Sequence, residues 1–62
     1  MDSEATRKAR IAALQEEIEF IHYANGLYWR QAKPSDTAKA DHYRRQDRLE
    51  EIRSELVELQ KE

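Results

Sequence analysis

The chain has 62 residues, with 11 Lys+Arg against 13 Asp+Glu and a formal charge of -2. That length leaves room for one small core, and the charge balance excludes the strongly basic coat usual for general nucleic-acid binding. With no cysteine there is no disulfide scaffold, thiolate metal site or cysteine nucleophile.

Charged and apolar residues each make up 39%, with one Gly and one Pro. That is the composition of long amphipathic helices, because Gly and Pro are the residues that break them. No apolar run is long enough to span a bilayer. The opening Met-Asp-Ser-Glu does not read as a secretory signal, so the expected setting is cytoplasmic.

The spacing predicts a first helix over about 4–32. Ile11, Leu14, Ile18, Ile21, Asn25, Tyr28 and Ala32 recur in steps of three and four, the seam of a heptad pattern. Ser3 or Asp2 supplies the N-cap. Asn25-Gly26 is also a turn dipeptide. The apolar period continues past it to Tyr28 and Trp29, so the reading keeps one helix with an internal glycine.

A turn follows at 33–35. Pro34 lacks a backbone N–H and pushes Lys33 out of the helical region, while Ser35 is placed to cap the next helix, with Asp36 in its first turn. The second helix is predicted over about 36–61, with a seam of Ala38, His42, Arg45, Leu49, Ile52, Leu56 and Leu59. At ~1.5 Å per residue each helix is roughly 40 Å long.

So short a connection makes the helices antiparallel. The expected layers are Ile11 with Leu56, Leu14 with Ile52, Ile18 with Leu49, Ile21 with Arg45, Asn25 with His42, and Tyr28 with Ala38. Arg10 then lies beside Glu55 and Glu17 beside Arg48, opposite charges that agree with this register. The expectation is an all-α single domain over 1–62, an antiparallel two-helix hairpin that self-associates into a four-helix bundle. Its oligomer core is Ile11, Leu14, Ile18, Ile21, Leu49, Ile52, Leu56 and Leu59. The hairpins pair with both hinges at one end or at opposite ends, as a dimer or a tetramer.

One hairpin cannot bury everything apolar. Ala13, Phe20, Ala24 and Leu27 form a second set on the far side of the first helix. Near the turn, Glu19 to Lys33 gathers four of the five aromatics, and Tyr43 folds back towards them. Large rings can simply fill a tapering bundle end. They also suit a contact patch, because aromatic and Arg side chains dominate binding hot spots. The candidate contact surface is Phe20, Tyr23, Leu27, Trp29, Arg30 and Tyr43.

Asn25 and His42 form a polar layer inside an apolar seam and must find partners, first of all each other. Such a layer fixes register and oligomer state, and a histidine also titrates near neutral pH. Arg45, at a seam position, is expected to carry its head past Ile21 into water. Glu19-Phe-Ile-His22 has the Glu-x-x-His spacing of di-iron bundles. The further inward glutamates of those sites are missing, since the neighbouring seam positions are Ile18, Ile21 and Leu49. No metal or cofactor is expected.

No phosphate loop or nucleophile elbow is present, and Ser3, Ser35 and Ser54 have no triad partners in view, so no enzyme is expected. The broad apolar and basic faces of a membrane-surface helix are missing from both helices. Basic residues cluster at Arg7/Lys8/Arg10, Arg30/Lys33/Lys39 and Arg44/Arg45/Arg48. In length, hairpin and heptads the whole chain resembles the Rop family of plasmid copy-control proteins, helical hairpins that dimerise and bind paired RNA loops. The resemblance implies an RNA-binding regulatory dimer and carries over no contact residues; the chain's own basic cluster offers Arg44 and Arg48 as the candidate nucleic-acid contacts. Glu16, Glu17, Glu19, Asp41 and Asp47 interrupt the basic clusters and repel phosphate. The leading expectation is therefore a small interaction or adaptor protein whose partners are itself, as homodimer or tetramer, and another protein.

Overall fold

The computed structural model describes residues 3–61, and the Asp2 cap falls outside them. The described chain is two helices, α1 (Ser3–Trp29) and α2 (Asp36–Gln60), with no strand among the described residues. Cross-helix bonds from Arg10 to Glu55, Arg48 to Glu17 and His42 to Asn25 fix an antiparallel hairpin. It is a rod of 49 × 15 × 15 Å.

α1 runs unbroken through Asn25-Gly26, and no described residue has a positive φ. Its end differs from the predicted one. The helix stops at Trp29, three residues short of Ala32, and the connection grows to 30–35. Pro34 explains the shortening, because a helix through this point would leave the Arg30 carbonyl without the N–H of residue 34. The chain tightens instead, with Arg30 N–H bonding Leu27 O at 3.2 Å and Gln31 N–H bonding Tyr28 O at 3.1 Å.

Ser35 then starts α2. Its backbone is extended, and its hydroxyl accepts from Ala38 N–H at 3.1 Å while its carbonyl accepts from Lys39 N–H at 2.9 Å. Asp36 sits in the first turn, where a negative charge faces the positive helix end.

Two helices can seal only a narrow strip. Leu14, Ile21, Leu49 and Ile52 are buried, and Ile18, Leu56 and Leu59 pack half-buried against them. Ile11 is also half-buried. One edge of the strip is closed by charge. Arg10 grips Glu55 through two nitrogens, with Nη2 2.9 Å from Oε1. Arg48 holds Glu17 in the same two-pronged way and also reaches Glu51 at 3.1 Å.

The rod exposes 5102 Å², whereas a compact monomer of 7.4 kDa exposes about 4,200 Å². The excess of roughly 900 Å² is close to what one partner contributes to a standard protein interface, about 800 Å².

Candidate functional site

The hinge end of the rod concentrates the unusual chemistry. Asn25, Tyr28 and Trp29 lie on adjoining turns of α1, and His42 and Arg45 are one turn apart on α2, so all five converge on one stretch of the seam. Asn25 and His42 are both buried. The Asn25 Oδ1 accepts from Arg45 Nε at 2.8 Å and lies 3.2 Å from His42 Nδ1.

This arrangement fixes the tautomer. A guanidinium only donates, so the Asn25 atom facing it is the carbonyl oxygen, and His42 Nδ1 must carry a proton to share that oxygen. Among the described residues no buried side-chain nitrogen or oxygen lacks a partner. Among the described residues no hydrogen bond engages His42 Nε2.

Arg45 departs from expectation. Its head does not run out past Ile21; it turns into the polar layer and is half-buried there. The sequence signal was present, since an amide oxygen has two lone pairs and Arg45 sits one turn beyond His42. Tyr28 also differs, stacking flat on His42, one turn beyond its predicted partner Ala38, with centroids 4.3 Å apart and planes 4° from parallel. Trp29 meets both rings edge-on at 5.1 Å, and Tyr43 lies tilted 6.0 Å from His42. The imidazole is held by an amide on its edge and by rings on its face.

Among the described residues, the large apolar side chains left in water are Phe20, Tyr23, Leu27, Trp29, Tyr43 and Val57. Phe20, Tyr23 and Leu27 follow one another in steps of three and four along the outside of α1. Trp29 and Tyr43 flank the histidine, each about 70% exposed. Arg30, immediately after α1, is exposed.

Arg48 has no free fork for a phosphate. Its guanidinium is committed to Glu17 and Glu51, and those carboxylates hold its proton even more firmly than usual. In return the bond from Arg48 holds the Glu17 carboxyl below its ordinary value, and Arg10 does the same for Glu55. Arg44 is exposed, 3.7 Å from Asp41.

Glu19 and His22 are both exposed, and no group of three or more His, Asp or Glu among the described residues is placed to hold a metal ion. A broad concavity of about 680 Å³ lies at the opposite end of the rod, bordered by Ser3, Arg7, Arg10, Glu58 and Leu59 and remote from the hinge cluster. No helix is long and apolar enough to cross a membrane among the described residues. Comparison with protein-family models, with curated proteins and with solved structures gave no match.

Proposed function

We propose that this chain is a small homo-oligomeric interaction protein that works through protein–protein contacts and performs no chemistry of its own. Two hairpins join into a four-helix assembly, and that assembly meets another protein through residues it leaves uncovered. The observation that carries this reading is the roughly 900 Å² of surface beyond that of a compact chain of this mass.

The exposed side chains support it. Phe20, Tyr23 and Leu27 line α1, and Trp29, Arg30 and Tyr43 gather at the hinge. Aromatic and arginine side chains of this kind anchor interfaces. Soluble monomers rarely leave so many large apolar groups close together. A four-residue core is also thin support for a lone hairpin, since small scaffolds without staples rarely gain more than ~3–5 kcal/mol from one core.

Light scattering on a sizing column, run across a range of protein concentrations, tests the reading. It expects a mass of at least twice 7.4 kDa and loss of helical signal on dilution. A folded particle of single-chain mass at every concentration would remove it.

A further inference from the structure

We infer that the outer face of α1 is a two-fold interface with a second copy of this chain, the two α1 helices lying antiparallel with Tyr23 at the axis. The inference rests on the self-association proposed above and names the face that carries it.

Glu16, Phe20, Tyr23 and Leu27 lie along this face at steps of four, three and four, and Arg30, immediately after the helix, continues the spacing by three. That is a heptad seam, the pattern by which one helix meets another. All five are exposed, and Phe20 and Tyr23 are each more than two-thirds so. The corresponding face of α2 carries Tyr43 and Val57 separated by Gln46, Glu50 and Arg53, so it offers no continuous apolar strip.

The strip is its own complement. Read against itself in reverse, Tyr23 meets Tyr23 of the second copy, Phe20 meets Leu27, and Glu16 meets Arg30 at both ends. Among the described residues no ion pair engages Glu16 or Arg30, whereas Arg10 pairs with Glu55 and Arg48 with Glu17 across the helices. A parallel arrangement would set Glu16 beside Glu16 and Arg30 beside Arg30, so charge selects the antiparallel one. Residue i meeting j while j meets i is the signature of a closed two-fold contact. Tyr23 suits the axis, with a ring for the contact and a hydroxyl for the wet rim. The assembly then has the two α1 helices at its centre and an α2 on each side.

Charge reversal tests the arrangement without touching the hairpin core. Glu16→Arg and Arg30→Glu are each expected to weaken the dimer at least about tenfold by sedimentation, because each places like charges together twice per dimer. Mixing the two variants restores a full-strength heterodimer, as does combining both changes in one chain. Helical circular dichroism should match that of the unsubstituted chain at concentrations where each is assembled.

A second arm uses the absence of native cysteine. Tyr23→Cys joined by a short bismaleimide should give covalent dimer at least about ten times faster than Val57→Cys, because the two sulfurs share the axis. If the unsubstituted chain is a monomer throughout, the proposed self-association fails. If it dimerises but neither single reversal weakens it, and Tyr23→Cys joins no faster than Val57→Cys, the α1 face is wrong and the dimer uses the open hairpin edge.

Discussion

Towards the hinge, the interior of the hairpin is amide, imidazole, guanidinium and aromatic ring; towards the chain ends it is leucine and isoleucine roofed by ion pairs. The two halves are joined by continuous helices, yet they solve different problems. Leu14, Leu49 and Ile52 remove apolar surface from water and fit almost any partner of similar size. Asn25, His42 and Arg45 gain little from burial but tolerate only one alignment, because a shift of either helix leaves buried donors without an acceptor. The aliphatic half supplies most of the stability, and the polar half supplies the register.

Truncating the aliphatic half should break the molecule. Ile52→Ala or Leu14→Ala, each at a fully enclosed side chain, is expected to cost about 2–5 kcal/mol in urea unfolding. That is comparable to the whole stability of a scaffold this small. Retention of cooperative unfolding with an unchanged midpoint would show that the core lies elsewhere.

The polar half should respond in kind rather than in amount. Asn25→Ala strands His42 Nδ1–H and Arg45 together, with an expected loss of about 1–3 kcal/mol. Replacing Asn25, His42 and Arg45 all by Leu should cost far less, or even stabilise, while broadening the amide resonances as several alignments compete. Sharp single-conformer spectra from that triple variant would remove the register role.

A smaller effect of opposite sign is expected at Gly26. It is helical, and a Cβ placed there meets nothing within 4 Å. Gly26→Ala should therefore stabilise the hairpin by about 0.5–1 kcal/mol in thermal melts.

The ion pairs over the aliphatic half give the gentlest test, because they sit at the surface. Glu17 and Glu55 have folded pKa values held below the ordinary 4.5 by their arginines. Their contribution is complete above 4.5 and is lost as the pH falls through the lowered folded values. The melting temperature should drop on acidification below about pH 4.5, and Glu17→Gln with Glu55→Gln should flatten that slope.

Much of this architecture is legible in one sequence because its signals are local. Pro34 followed by Ser35 marks the hinge and the cap, and the three-four spacing of Leu14, Ile21, Leu49 and Ile52 marks the buried strip. The pairing of Arg10 with Glu55 and of Glu17 with Arg48 followed from register alone. Periodicity carried α1 to Ala32, however, because spacing counts positions and ignores that Arg30 O needs a donor Pro34 lacks. Arg45 departs from the spacing for a related reason: the seam pattern treats a long cation as an intruder to be expelled, whereas the neighbouring Asn25 amide oxygen gives it an acceptor. The stacking of Tyr28 on His42 depends on ring orientation, which spacing does not encode.

The position of the polar layer also bears on how the chain folds. The Asn25–His42 contact spans 17 residues and the Arg10–Glu55 bridge spans 45. Chain statistics make the shorter closure about four times more probable. That bias favours first cross-helix encounters where only one alignment is satisfied, ahead of the aliphatic layers towards the chain ends. A hairpin zipped in this order has its register chosen before the permissive side chains meet, so misaligned pairs are rejected while they are still cheap to undo.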